Sequence, residues 1–108
     1  MARPARRYEV FLPLTFNDLR PVPDSLFDAV EQRLLARFEG LTTNKREMPL
    51  RGIWKAERRL YYDQVIIIRA LDFRRQGSAR FMGSLKKRLL AEFDQLEILI
   101  TESRLRVL

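Results

Sequence analysis

The stretch LYYDQVIIIRALDF, residues 60–73, decides the fold. Its centre, Val65-Ile66-Ile67-Ile68, is β-branched at four consecutive positions, which stiffens χ1 and favours an extended backbone over a helix. An apolar run that does not alternate with polar residues suits a strand covered on both faces, so this segment reads as an interior strand of a sheet.

Residues 50–55, just before it, read as a second strand joined to it by a hairpin turn at Glu57, Arg58 and Arg59. Residues 41–49 are polar, break periodicity and read as a loop. Further upstream, Leu26, Phe27, Val30, Leu34 and Phe38 recur at spacings of three and four, Asp24 and Ser25 offer an N-cap after Pro23, and Gly40 supplies a left-handed stop. This is a first helix. The segment YEVFLPLTF, residues 8–16, reads as a strand ending in the polar, proline-bearing run 17–23. Residues 1–7 carry Arg3, Arg6 and Arg7 without apolar periodicity and read as a basic tail before a single domain spanning 8–108. On the C-terminal side, Ser78 caps a second helix in which Phe81, Leu85, Leu89 and Phe93 fall at i+4 spacings, flanked by Met82 and Leu90. LEILIT, residues 96–101, is the last strand, and residues 105–108 extend it or add an edge.

The order strand, helix, strand, strand, helix, strand predicts an α+β fold of ferredoxin-like βαββαβ type, with an antiparallel sheet in the order 4-1-3-2 and both helices on one face. Val65 and Ile67 point one way, Ile66 and Ile68 the other, and Tyr8, Val10 and Leu12 oppose Phe11. Both sheet faces therefore read as apolar while the helices cover one. The expected cover for the other is a second copy, giving a homodimer through the sheet face.

A chain of 108 residues has room for one core, and 46% hydrophobic content suffices to build it. Cysteine and histidine are both absent, which excludes disulfides, thiolate nucleophiles, Ser-His-Asp triads and zinc sites that need imidazole or sulfur. No cofactor is implied. Lys+Arg 21 against Asp+Glu 14 leaves +7, which points to anionic partners. The apolar stretch at residues 10–14 contains Pro13 and is far too short to span a bilayer, so the expectation is a cytoplasmic protein with no membrane contact.

Strand directions bring the chain start, the helix-one to strand-two connection, the strand-three to helix-two connection and the chain end to one pole. That pole collects Arg6, Arg7, Lys45, Arg46, Arg74, Arg75, Arg104 and Arg106. Six basic residues and no acidic one lie between Phe73 and Ala91. Arg74 and Arg75, with Ser78 at the start of helix two, form the expected anion site, joined by Lys45, Arg46, Arg6 and Arg7. The leading functional expectation is a non-enzymatic homodimeric binding or regulatory module for a partner protein or a small anionic ligand. The alternatives are a nucleic-acid-binding protein using the basic pole, for which aromatic stacking platforms are missing on strand three, and a Mg-dependent enzyme using Asp18, Asp63 and Asp94. Trp54, Tyr61 and Tyr62 read as core or interface packing in the hairpin.

The motifs YEVFLPLTFND (residues 8–18), Gly40-Leu41-Thr42, Gly52-Ile53-Trp54, Tyr61-Tyr62-Asp63 and QLEILIT (residues 95–101) make the chain resemble a family of small uncharacterised bacterial proteins with no established activity. Leu19 and Gln64 stand where the family pattern has a glycine and an acidic residue. The resemblance implies a ferredoxin-like fold and a shared polar site around Asn17, Asp18, Trp54, Tyr61 and Asp63.

Overall fold

In the computed structural model, which describes residues 2–74 and 76–108, the apolar run lies in a long strand. The elements are β1 (Arg3–Pro13), α1 (Asp24–Leu35), β2 (Leu41–Thr43), β3 (Leu50–Ala56), β4 (Arg59–Asp72), α2 (Ser78–Glu92) and β5 (Ile100–Val107). β4 pairs antiparallel with β1, from Val65 opposite Pro13 to Asp72 opposite Arg6, and β1 pairs antiparallel with β5. The sheet runs β2-β4-β1-β5, with β3 also hydrogen-bonded to β4.

This five-stranded antiparallel arrangement corrects the four-strand order 4-1-3-2 and the simple βαββαβ count. The extra strand is β2, inside the segment expected to be a loop: Leu41, Thr42 and Thr43 pair with Ala70, Arg69 and Ile68. β4 is long enough for two strands to share one edge, β2 beside its C-terminal part and β3 beside its N-terminal part. The basic tail is also corrected. Backbone hydrogen bonding is indifferent to side-chain polarity, so β1 begins at Arg3 and pairs Arg3–Arg6 with Val107–Arg104. β5 correspondingly lies later than expected, and Leu96 sits outside it, 96% exposed.

Strand alternation sends Tyr8, Val10 and Leu12 to the same side as Ala70, Ile68 and Ile66, their partners across the ladder. These six meet Phe27, Val30 and Leu34 of α1 and Met82, Leu85 and Leu89 of α2 in one buried cluster. Phe93, just beyond α2, stands edge-on to Phe27 at a centroid distance of 5.6 Å. The helices thus bury their stripes on one sheet face. Pro23 is the N-cap of α1 and Gly77, at φ 90°, that of α2, and neither makes a side-chain capping bond. Ser78 is the first helical residue, not the cap.

The other face carries Phe11, Pro13, Val65, Ile67, Leu71 and Leu105, but also Arg7, Glu9 and Arg69 at its centre. Arg69 Nε donates to Glu9 Oε2 at 2.8 Å, and Arg7 Nη2 lies 3.9 Å from Glu9 Oε1. That face is therefore apolar with an ionic inset. Among the described residues, no helix is long and apolar enough to cross a membrane.

Candidate functional site

Where β4 runs past the short β2, the chain leaves a notch between the segment following α1 and the connection from β4 to α2. The resulting cleft has a volume of about 700 Å³. Arg7, Arg37, Arg69 and Arg74 line it, together with Phe38, Leu41, Leu71, Phe73 and Leu105 and the acids Glu39 and Asp72. Each arginine arrives by a different route. Arg7 and Arg69 come from the helix-free faces of β1 and β4, Arg74 follows the end of β4, and Arg37 follows α1.

Arg37 is the most constrained. Its Nε donates to Ser78 Oγ at 3.0 Å, its Nη2 reaches the Gln76 carbonyl at 3.4 Å, and its guanidinium lies 5.2 Å from the Phe81 ring centroid. A Cβ at Gly77 would come within 3.0 Å of Arg37 Nη2, so the left-handed glycine also makes room for this cation. The seat expected for an anion at the start of α2 is thereby occupied by a guanidinium. α2 has no acidic residue in its first turn, so the positive end of the helix and Arg37 face each other uncompensated.

Asp72 is 3% exposed. Its Oδ1 accepts the Arg74 backbone N–H at 2.9 Å, and its Oδ2 has no partner among the described residues. The buried Nε of Arg7 also lacks one. A buried carboxylate oxygen and a buried guanidinium nitrogen thus retain hydrogen-bonding capacity at the wall of the cleft.

Of the expected anion-site residues, Arg7 and Arg74 line the cleft, and Arg75 lies outside the described residues. Ser78 is 1% exposed and accepts from Arg37, so it is removed from the site. Arg46 is also removed. Its guanidinium is 3.2 Å from Asp24, 3.3 Å from Asp28 and 3.8 Å from Glu31, spread over the acidic flank of α1 because β2 and the following loop carry it toward the start of that helix. Lys45 stands in the same loop and does not line the cleft. Arg6 faces the helix side of the sheet opposite Asp72 and Arg104, and it too is absent from the lining. Arg37 and Arg69 were not foreseen, because charge was grouped by loop. The period of two would have found Arg69: it shares a face with Arg7 through Leu71 and Glu9.

The polar residues suggested by the family resemblance divide into two sets. Trp54 and Tyr61 are cross-strand partners, as are Gly52 and Asp63, and Trp54 Nε1 donates to Asp63 Oδ2 at 3.0 Å. A Cβ at Gly52 would overlap the Asp63 carboxylate, so glycine is what permits this packing. Asn17 and Asp18 belong to the β1–α1 connection instead. Asn17 Nδ2 donates to the Asp94 carbonyl at 2.7 Å, and Asp18 accepts from the backbone and side chain of Arg20. Those Arg20 bonds hold the Asp18 carboxyl below its usual range. No three acidic side chains converge on a metal position among the described residues.

No family model matches the chain, and no curated protein matches it. Among solved structures it is similar to a phage SAM lyase in complex with S-methyl-5′-thioadenosine, at 15% identity and a TM-score of 0.62, over 95% of this chain and 88% of that one. At that identity the likeness shows a shared fold. The chain is thus an α+β domain of two helices on a five-stranded antiparallel sheet, built on a scaffold that in the phage protein accompanies a small-molecule ligand.

Proposed function

We propose that this protein is a small-molecule-binding module whose arginine-lined cleft takes an anionic ligand with an apolar or aromatic body. The observation carrying this reading is the convergence of Arg7, Arg37, Arg69 and Arg74 on one cleft walled by Phe38, Leu71, Phe73 and Leu105. Its volume of about 700 Å³ suits a ligand of nucleotide or cofactor size. Guanidinium groups bind carboxylate and phosphate through forked, charge-assisted hydrogen bonds, while the apolar wall takes the body. An anion here would also compensate Arg37 and the positive end of α2. The unpartnered Asp72 oxygen adds a preference for a ligand carrying a hydroxyl or amino donor beside its anionic group. The phage protein's bound nucleoside thioether supports the general suitability of this scaffold for small molecules.

The role is binding rather than catalysis, and two copies meet through the helix-free sheet face, where Phe11, Pro13 and Ile67 offer a partly exposed apolar surface.

Thermal-shift and calorimetric titration with nucleoside monophosphates, dicarboxylates and inorganic phosphate tests the cleft. A ligand at a hundredfold excess over its Kd stabilises the fold by about 2.7 kcal/mol. Arg74→Ala and Arg7→Gln are expected to weaken the best binder by tenfold or more. Absence of any shift across the panel at millimolar concentration, or full affinity in both variants, overturns the reading.

A further inference from the structure

β1 pairs with β4 only from Val65 onward, so β3 and residues 59–64 of β4 continue past the sheet as a two-stranded ribbon. Across residues 51–64 every residue but Gly52 and Asp63 is exposed. Glu57 and Arg58 close the ribbon as a two-residue turn with both residues left-handed, at φ 50° and 67°.

Two features of this ribbon stand together. Three aromatic side chains are about half exposed, Trp54 at 48%, Tyr61 at 49% and Tyr62 at 59%. Trp54 and Tyr61 are partners on one face, and Tyr62 is on the other beside Ile53. The second feature is charge. Arg51, Lys55, Arg58 and Arg59 stand against Glu57 and Asp63, and among the described residues none of these four enters an ion pair. The Arg51 guanidinium lies 5.0 Å from the Tyr62 ring centroid, an arrangement of cation and ring that can receive a base plane alongside.

We propose that the β3–β4 ribbon binds single-stranded nucleic acid. Bases stack on Trp54 and Tyr61 on one face and on Tyr62 on the other, the strand passing over the free edge of β3, while Arg51, Lys55, Arg58 and Arg59 neutralise its phosphates. Stacking platforms with interleaved cations are what sequence-tolerant recognition of a single strand needs. A duplex keeps its bases stacked on one another and cannot use the rings. A second copy of the chain would bring four like charges to the same surface, whereas a polyanion complements them. The aromatics therefore stand on the hairpin, not on the inner part of β4, where Val65, Ile66, Ile67 and Ile68 offer no stacking platform. This site is independent of the arginine cleft.

Trp54 is the sole tryptophan in the chain, so its fluorescence reports the ribbon directly. A dT12 oligonucleotide at 50 mM salt is expected to quench it saturably, with at least tenfold weaker binding to a duplex of the same length. The log-log salt slope is expected near −0.7 for each phosphate neutralised. Tyr62→Ala should weaken binding about tenfold, and Arg59→Gln should lower the salt slope by about one such increment. Lys87→Gln, an equal charge loss on exposed α2 surface, should leave the affinity unchanged. Three results overturn the proposal: no quenching by dT12, equal losses in Lys87→Gln and Arg59→Gln, or a Tyr62→Ala variant that keeps full affinity. A Tyr62→Ala variant that instead shifts the oligomeric state in light scattering, with dT12 affinity unaltered, assigns the ribbon to contacts between copies and also overturns it.

Discussion

Tyr8 is 2% exposed, and its hydroxyl donates to Glu102 Oε2 at 2.7 Å across the β1–β5 ladder. Burial, reinforced by that carboxylate, pushes the phenol from 10.0 up to about 12. Below pH 10 the phenol is neutral in folded and unfolded chains alike, and its contribution to stability is complete. Above it the unfolded chain ionises first, so stability falls, by on the order of 2 kcal/mol, until the pH passes about 12. Urea midpoints measured from pH 9 to 12 are expected to show this decline in the wild type and a shallower one in Tyr8→Phe. Equal slopes would disprove the assignment. The position of Tyr8 inside the first strand was legible from its place in YEVFLPLTF. Its partner Glu102 was not, because the register of β5 depends on β1 reaching back to Arg3.

Between elements, the clearest tie is between the helices. Arg33 donates from Nη1 and Nη2 to the two oxygens of Glu92 at 2.7 and 3.0 Å, with Arg88 a turn away at 3.3 Å. The Arg33 bonds hold the Glu92 carboxyl below its usual range, so their stabilisation is present above the ordinary carboxylate pKa of 4.5 and is lost as pH falls below it. The side chains are partly exposed, so Arg33→Ala is expected to cost about 1 kcal/mol at pH 7 and less at pH 3. Urea midpoints at the two pH values check this. Both helices were legible, since residues 26–38 and 81–93 repeat at three and four. β2 was not: three residues carry no period, and Thr42 and Thr43 are exposed on an edge strand held by backbone bonds. The N-terminal part of β1 escaped for the same reason, its arginines giving no apolar alternation to read.

For the whole molecule, the proposed pairing of two copies rests on the helix-free face. Its apolar residues flank the Arg7–Glu9–Arg69 group, and Ile67 of β4 stands opposite Phe11 of β1. Under the pairing reading, light scattering at micromolar concentration should give twice the chain mass for the wild type and the single-chain mass for Ile67→Glu. A single-chain mass for the wild type would remove the dimer and leave the cleft untouched. Arg46 shows how far charge grouping by loop can be trusted at this scale. It was assigned to the basic pole, yet β2 and the following loop run along β4 and deliver it to Asp24, Asp28 and Glu31.

The sequence by itself determined the α+β class, the two helices, the inner placement of the β-branched run and the exclusion of cysteine and histidine chemistry. Those follow from local periodicity and composition, which a chain carries without folding. Only the tertiary structure decided the fifth strand, the early start of β1 and the convergence of Arg7, Arg37, Arg69 and Arg74. Pairing along an edge depends on backbone groups common to all residues. A cleft is defined by which side chains arrive at one point from distant positions, and spacing along the chain does not encode that distance.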